Sequence, residues 1–257
     1  MIVTTDHGAV RELRLNRPPV NALSAELITG LRQAVEAAPQ DGARALVLSG
    51  SPGRFSAGLD IPLLLKLDRT AISHVWRELY GLMRALAVSP IPIAAAVTGH
   101  APAGGTVLPI FCDWRVMAEG DWKVGLNEVR VGLALPPVIL SGLSLLVGAR
   151  QGARLAVGGI LISPGEALNA GLVDEVVMPE QVIPRAIEWC KQLLALPIDA
   201  MTVTRRQARN GLFELFGGSL ERELEQVTAN WWNPEAQSML RAVAERLGQK
   251  KSGSGKV

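Results

Sequence analysis

Two kinds of group that could form and stabilise a carbanion lie between Pro102 and Gly132. The pair Gly104-Gly105 opens an apolar segment that the pattern predicts as a helix, residues 104–111. Backbone N–H groups at a glycine-rich helix N-terminus favour a developing negative charge. Glu128 follows in an apolar setting, where a carboxyl group tends to have a raised pKa and can act as a base. Together they match half of an enolate-forming site, but they also fit a tight turn before a core helix and a surface glutamate.

Alternating strands and helices must position these groups. The pattern predicts strands at 1–5, 9–15, 44–49, 93–97 and 114–118, and helices at 24–38, 70–88, 136–146 and 150–157. Ser163 is expected to cap a further short helix, which leads into a turn and a strand that ends at Val177. Helices follow at 181–196, 200–210, 220–231 and 234–247. The order indicates an α/β core followed by a helical tail.

A loop of small residues, 50–61, follows the strand at 44–49. Ligands in α/β sheets gather beyond the carboxyl ends of strands, and small residues let a ligand approach the backbone closely. The loop therefore fits a ligand-binding segment, and it fits a surface turn equally well. Its glycines do not form a dinucleotide fingerprint or a phosphate-binding P-loop.

The composition is typical of a folded protein with one large α/β domain and an appendage, or with two small domains. Of 257 residues, 48% are hydrophobic and 19% are charged, which excludes a disordered chain. The net charge of +2 gives no indication of nucleic-acid binding. Cys112 and Cys190 lie in apolar contexts and are predicted to be buried free thiols. The three histidines are scattered, so no metal site is predicted.

Two stretches with few titratable groups, 85–112 and 131–149, are long enough to span a bilayer. Prolines and glycines interrupt both, so the sequence favours buried strands and short helices, and no membrane interaction is predicted. The first eight residues have a strand pattern that differs from a signal or transit peptide, and a reducing cytoplasm is the expected location.

Four motifs, taken in order, resemble the crotonase superfamily, also called the enoyl-CoA hydratase/isomerase family. The match runs nearly end to end, and the four motifs together are far more specific than any one of them. They are Leu15-Asn16-Arg17-Pro18 with Asn21-Ala22-Leu23, Phe55-Ser56-Ala57-Gly58-Leu59-Asp60, Ala103-Gly104-Gly105 before Cys112-Asp113, and Ser163-Pro164-Gly165-Glu166-Ala167 through Gly171-Leu172-Val173-Asp174.

The resemblance implies a crotonase-like α/β fold, a spiral of ββα units with an α-helical C-terminal region, commonly assembled as a homotrimer or a dimer of trimers. Residues 1–195 are accordingly predicted to form the spiral core. Residues 196–249 are predicted to form the helical region, which would serve oligomerisation and cover the active site. Residues 250–257 are predicted to be a disordered tail. For a eukaryotic chain already processed, the resemblance implies the mitochondrial matrix.

The resemblance also implies an oxyanion hole, in which two backbone N–H groups hold the thioester oxygen of an acyl-CoA. By motif position these belong to Leu59 and Gly104. The residues expected to contact the substrate are Ala57, Gly58, Leu59, Asp60, Ile61, Gly104 and Asn127. Asp60 fits equally well a hydrogen bond that stabilises its own loop, and Asn127 could instead orient Glu128. Candidate contacts to the CoA phosphates are Arg17, Arg54 and Lys66.

One departure from the family pattern selects a reaction. Hydratases of the family place one glutamate three residues after the second-motif glycine, where this chain has Val107, and a second one at the position of Glu128. Adding water to a double bond uses both carboxylates, whereas moving a proton between two carbons needs only one. The chain is in this respect most similar to monofunctional mitochondrial-type Δ3,Δ2-enoyl-CoA isomerases.

The expected reaction is therefore a double-bond shift in fatty-acid β-oxidation, in which Glu128 moves a proton from C2 to C4 through a dienolate. No cofactor is predicted, since CoA arrives as part of the substrate. One alternative is an enoyl-CoA hydratase or another crotonase-type hydrolase or lyase. An alternative of another class is a non-catalytic subunit that binds acyl-CoA.

Overall fold

The main β-sheet lies at the centre of the fold. The computed structural model describes residues 1–218 and 220–253. The sheet has six strands in the order β1-β2-β3-β5-β7-β9; β1 runs antiparallel to β2, and the other pairs are parallel. The strands are β1 (Ile2–His7), β2 (Val10–Leu15), β3 (Ala45–Ser49), β5 (Ile93–Val97), β7 (Trp114–Ala118) and β9 (Glu175–Val177). Strands β5 and β7 have the predicted bounds, while β1 extends two residues further, to His7, so that its turn lies at residues 8 and 9.

A second, three-stranded sheet positions the candidate site. Its parallel strands are β4 (Gly53–Arg54), β6 (Gly99–Pro102) and β8 (Val124–Gly125), in the order β4-β6-β8. The sequence did not predict these strands, because a strand of two to four residues has no measurable periodicity. The carboxyl ends of parallel strands share one edge of a sheet. The segments after β4, β6 and β8, which contain Leu59, Gly104 and Glu128, therefore begin side by side.

The helices of the core begin at local capping signals. The Ser24 side chain accepts a hydrogen bond from the Leu27 N–H at the start of α1, as predicted. Ser163 and Glu166 form a reciprocal capping box at α7. The core helices are α1 (Ala25–Ala37), α2 (Ile61–Leu64), α3 (Arg69–Ala87), α4 (Gly104–Ile110), α5 (Pro137–Val147), α6 (Ala149–Gly158), α7 (Pro164–Asn169) and α8 (Val182–Leu194). Of these, α2 was not predicted; the others agree with the predicted elements to within two residues.

Four helices follow the core: α9 (Ile198–Ala208), α10 (Asn210–Glu214), α11 (Leu220–Trp231) and α12 (Pro234–Gly253). The predicted end of the last helix, at residue 247, is too early, because α12 continues to Gly253. Of the tail predicted to be disordered, residues 250–253 thus belong to a helix and 254–257 lie outside the described residues. The division of the chain at 195/196 stays a prediction. Trp231 is 1% exposed and belongs to the hydrophobic core.

A buried arginine, Arg209, attaches the C-terminal helices to the core. Arg209 donates hydrogen bonds to the carbonyl groups of Leu86, Ala87, Phe111 and Cys112, at the ends of α3 and α4. Helix C-termini have unpaired carbonyl groups and a partial negative charge, so a cation is favourable there.

Cys112 and Cys190 are buried free thiols, as predicted, and burial raises the pKa of each to about 12. Within the described ranges, no helix is both long enough and apolar enough to cross a membrane.

Candidate active site

Several hydrogen bonds connect the loop after β4 to the first motif, and they include a parallel bridge between Leu23 and Leu59. The Leu23 N–H donates to the Gly58 carbonyl at 2.8 Å, and the Leu23 carbonyl accepts from the Asp60 N–H at 3.1 Å. Leu59 lies between these two bonds and takes part in neither of them, and its carbonyl accepts from the Ile61 N–H at 2.9 Å. The Leu59 N–H has no hydrogen-bond acceptor within the described part of the chain.

Gly58 and Gly104 bring this loop against the N-terminus of α4. A methyl group on Gly58 would lie 2.9 Å from the Gly104 nitrogen, and one on Gly104 would lie 3.1 Å from the Gly58 Cα and 3.5 Å from the Leu59 nitrogen. Only glycines allow this approach, and Gly58 also has a φ of +79°. The N–H of Gly104, at the first position of α4, likewise has no acceptor among the described residues. Two unpaired N–H donors are therefore adjacent, although their catalytic role stays a prediction.

The backbone just before Gly104 is strained. Ala103 has φ +51° and ψ −125°, a region that residues with a Cβ rarely adopt. Such a conformation costs on the order of 1–3 kcal/mol, and it persists only where surrounding contacts enforce it. Here the Ala103 N–H donates to the Gly125 carbonyl at 2.8 Å, and the Ala103 carbonyl accepts from the Thr106 and Val107 N–H groups. These bonds aim the Gly104 N–H away from the helix.

Glu128 lies at the start of a 3-10 turn, Glu128–Val131. Although the residue as a whole is partly exposed, its Oε2 is buried and has no hydrogen-bond partner among the described residues. Burial disfavours the charged form and raises the pKa of Glu128 from 4.5 to about 7, opposed by a hydrogen bond to its own backbone. The raised pKa expected from an apolar setting is confirmed. The adjacent Asn127 Oδ1 is also buried and unpartnered.

Glu128 lies in a turn that packs against a distant part of the chain. Its sequence neighbour Val129 is 39% exposed and therefore does not enclose it. Helix α12 packs on the 3-10 turn and on α2 instead. At Gly132 the approach is so close that a methyl group would lie 3.1 Å from the Ala236 Cα and 3.0 Å from the Met239 Sδ. The C-terminal helix thus lies against α2, which follows the loop with Leu59, and against the turn that begins at Glu128, while its role as a cover of the active site stays a prediction.

Arg130 holds the 3-10 turn in place, and the sequence analysis did not identify it. Its Nε donates to the Gly159 carbonyl at 2.6 Å, and its Nη2 donates to the Gly158 carbonyl at 3.1 Å, at the end of α6. The pair Gly158-Gly159 was a usable signal for a helix end with free carbonyl groups, to which an arginine could bind. Which arginine would reach it depends on the tertiary structure.

The remaining predicted site residues differ in whether their side chains are free to bind a ligand. The Asp60 carboxylate caps α2, accepting from the Leu63 N–H at 3.2 Å, and pairs with Arg17 at 2.6 Å. Both side chains thus already have partners in the protein. Asp60 makes a hydrogen bond that stabilises its own loop, which was the alternative to a substrate contact for this residue. Ala57, Arg54 and Lys66 are exposed, and Ile61 is the partly buried first residue of α2.

The helix behind the two N–H donors has no carboxylate. Val107 is 1% exposed, and every residue of α4, Gly104–Ile110, is buried and non-ionisable. No charged neighbour contributes to the raised pKa of Glu128. The arrangement can therefore hold an oxyanion and offer one base, without a second carboxylate on α4.

Comparisons with known proteins show the family and the fold. A family model described as enoyl-CoA hydratase/isomerase matches residues 5–225. Mitochondrial enoyl-CoA delta isomerase 1 of Mus musculus is 31% identical, over 98% of this chain and 88% of its own length. A probable enoyl-CoA hydratase of Mycobacterium avium is 33% identical, over 79% of each chain. The crystal structure of human mitochondrial delta3-delta2-enoyl-CoA isomerase superposes with a TM-score of 0.92 at 30% identity, over 97% of this chain and 99% of that one.

Proposed function

The chain belongs to the enoyl-CoA hydratase/isomerase family, and from this premise we propose that it is a Δ3,Δ2-enoyl-CoA isomerase. The relatives include proteins named as isomerases and as hydratases, so the choice of reaction rests on the site. The observation that supports isomerisation is one buried carboxyl group, Glu128, with a pKa of about 7 and no second carboxylate on α4.

The substrate would bind with its thioester oxygen between the N–H groups of Leu59 and Gly104. Glu128 removes a proton from C2 of the 3-enoyl-CoA, and the electron pair delocalises onto the thioester oxygen as a dienolate. The same carboxyl group returns the proton at C4, which gives the 2-trans-enoyl-CoA. One oxyanion-hole donor stabilises such a transition state by roughly 2.7–4 kcal/mol, and both donors exist before the substrate arrives.

The environment of Glu128 suits a group that must both accept and return a proton. A base is most effective when its pKa lies near the working pH, and the value of about 7 meets that condition. Burial produces this value by disfavouring the carboxylate, and it also keeps water away from the dienolate. Holding one carboxyl group within reach of both C2 and C4 supplies the proximity that the transfer needs.

Val107 argues against efficient hydration. Adding water requires one group to position the water and another to deliver a proton, and an apolar side chain at position 107 supplies neither. Val107 is itself buried, like the rest of α4. A hydratase, hydrolase or lyase of the same family would need another polar group to handle the water or the leaving group.

The remaining assignments follow from the family and from the position of each residue. Ala57, Gly58 and Ile61 would contact the thioester arm of CoA, and Asn127, whose buried Oδ1 lacks a donor, would face the substrate beside Glu128. Asp60 would act chiefly through its contacts with α2 and Arg17. Arg54 and Lys66 are the better candidates for the CoA phosphates. A homotrimer or a dimer of trimers, a role in β-oxidation, and a cytoplasmic or matrix location belong to the same proposal.

The test compares 3-enoyl-CoA with 2-enoyl-CoA in a spectrophotometric assay of the conjugated enoyl thioester. Conversion of the 3-enoyl substrate, with little loss of the 2-enoyl substrate, is the expected result. Glu128→Gln should reduce it by about 10²- to 10⁴-fold, the range of a general base. Glu180→Gln, which changes an exposed glutamate far from this turn in sequence, is the matched control.

Other outcomes would redirect the assignment. Rapid loss of the 2-enoyl substrate would identify a hydratase and defeat the argument from Val107. Full isomerase activity in Glu128→Gln would refute the mechanism. Binding of both substrates with no turnover and no proton exchange at C2 would favour a non-catalytic acyl-CoA-binding subunit.

A further inference from the structure

The hydroxyl group of Thr106 joins two segments of the site that are distant in sequence. Thr106 is 1% exposed and lies in the first turn of α4, two residues after Gly104. Its Oγ1 accepts a hydrogen bond from the Gly125 N–H at 2.7 Å and donates one to the Ala101 carbonyl. A hydroxyl group can do both at once, which few other side chains of this size could do.

Gly125 is fixed from several sides, and Thr106 supplies one of the contacts. The Gly125 carbonyl accepts from the Ala103 N–H at 2.8 Å. On another side, a methyl group on Gly125 would lie 2.3 Å from the Ile160 carbonyl oxygen, and the φ of +141° also requires glycine. Both backbone groups of Gly125 are thus bound to residues near Gly104, namely Ala103 directly before it and Thr106 two residues after it.

These bonds link the oxyanion donor to the base. Ala103 and Thr106 stand on either side of Gly104, and Gly125 precedes Glu128 by three residues. We infer that Thr106 is a positioning residue, whose hydroxyl group fixes the distance between the Gly104 N–H and the Glu128 carboxyl group. The inference rests on the proposed function, in which those two groups act on the same substrate.

The physical reason is that β6 and β8 are very short. Strand pairing alone gives two residue pairs, Ala101 with Val124 and Pro102 with Gly125. Proline has no N–H to donate, so the end of the pairing nearest the site needs other bonds. Without the Thr106 hydroxyl, the buried Gly125 N–H would lose its acceptor, and the turn that follows could shift. A misplacement of about 1 Å in an active site can cost about 10²-fold in rate.

The variants are Thr106→Val, which keeps the shape and removes the hydroxyl group, and Thr106→Ser, which keeps it. Thr98→Val is the matched control, because the Thr98 hydroxyl donates to the Ser51 carbonyl at 2.9 Å near the opposite end of β6. If Thr106→Val does not fold, Thr106→Ala takes its place, since it also lacks the hydroxyl group and adds no bulk.

Three measurements separate positioning from a structural role. The first is kcat and KM with 3-enoyl-CoA. The second is exchange of the C2 proton of a saturated acyl-CoA in D₂O, which needs the base and the oxyanion hole but no double-bond shift. The third is hydrogen–deuterium exchange at the Gly125 amide.

We expect Thr106→Val to lower kcat and C2 exchange by about 10- to 100-fold with KM changed less than threefold, and Thr106→Ser to restore most of both rates. The Gly125 amide should exchange slowly in the wild type and at least tenfold faster in Thr106→Val. Thr98→Val should keep its kcat. Wild-type rates in Thr106→Val, or an equal loss in Thr98→Val, would overturn the inference.

The same data distinguish this inference from the proposed function. A wild-type protein that exchanges the C2 proton but does not isomerise would refute the isomerase assignment, and the exchange rates would still decide the role of Thr106. A wild-type protein that does neither would overturn both.

Discussion

The pKa of Glu128 leads to a quantitative prediction about pH. Burial raises this pKa from 4.5 to about 7, and proton abstraction requires the carboxylate. In the free enzyme kcat/KM should therefore rise about tenfold per pH unit up to pH 7 and then level off. A mutation that removes the carboxyl group, Glu128→Gln, should abolish this acid limb together with most of the activity.

The same shift must appear in the stability of the protein. Because the pKa is raised in the folded state, the folded protein binds more protons than the unfolded chain between pH 4.5 and about 7. The contribution of Glu128 to the free energy of unfolding therefore becomes less favourable as the pH rises through this window, and it levels off above the folded pKa. At 1.36 kcal/mol per pKa unit, the loss between about pH 5 and about pH 8.5 is about 2.5 kcal/mol.

The assay is urea unfolding of the wild type and of Glu128→Gln at a series of pH values. Glutamine does not titrate, so the difference between the two proteins isolates Glu128 from all other groups. Glu128→Gln should gain about 2.5 kcal/mol relative to the wild type over that pH range. A difference that does not change with pH would refute the claim that the folded protein buries this carboxyl group, and with it the explanation of the base.

Three further substitutions test the packing around the site. Gly104→Ala should lower kcat by about 10²- to 10³-fold, because the added methyl group meets the Gly58 Cα at 3.1 Å, whereas Gly165→Ala meets nothing within 4 Å and should be silent in the same assay. Gly132→Ala should destabilise the protein by about 1–3 kcal/mol more than Gly171→Ala in urea unfolding, since both have positive φ but only Gly132 contacts α12. It should also shift the acid limb of kcat/KM to lower pH, and an unchanged profile would contradict the role of α12 as the cover. Arg209→Met should cost about 3–5 kcal/mol of unfolding free energy, because it removes one partner of the buried ion pair with Asp113 at 3.1 Å, and a loss below about 1 kcal/mol would show that this pair and the carbonyl contacts are dispensable.

Much of the fold could be predicted from the sequence because its signals are local. The cap at Ser24, the capping box at Ser163 and the apolar periods of the helices each involve residues within about four positions of one another. Buried strands such as β5 and β7 appear as short apolar runs between breakers. The order of these elements was enough to indicate an α/β core with a helical tail.

The candidate groups could also be identified from the sequence. The glycine pair pointed to Gly104, and a carboxyl group in an apolar stretch pointed to Glu128. It did not identify Thr106 or Arg130, whose partners lie 19 and 29 positions away in the chain. The strands β4, β6 and β8 were not predicted either, because a strand of two to four residues gains its stability from its neighbours and has no pattern of its own.

Only the tertiary structure decided how the groups act together. Leu59 and Gly104 can come close together because Gly58 has no side chain. A sequence pattern can indicate the glycine, but it does not show which part of the chain lies against it. The apolar neighbours of Glu128 suggested a raised pKa, yet Val129 is exposed, and the turn that begins at Glu128 packs on α12, about a hundred residues later. Residue types determine which chemistry is possible, whereas distance and desolvation depend on long-range packing, and these set the pKa of the base and the geometry of the oxyanion hole.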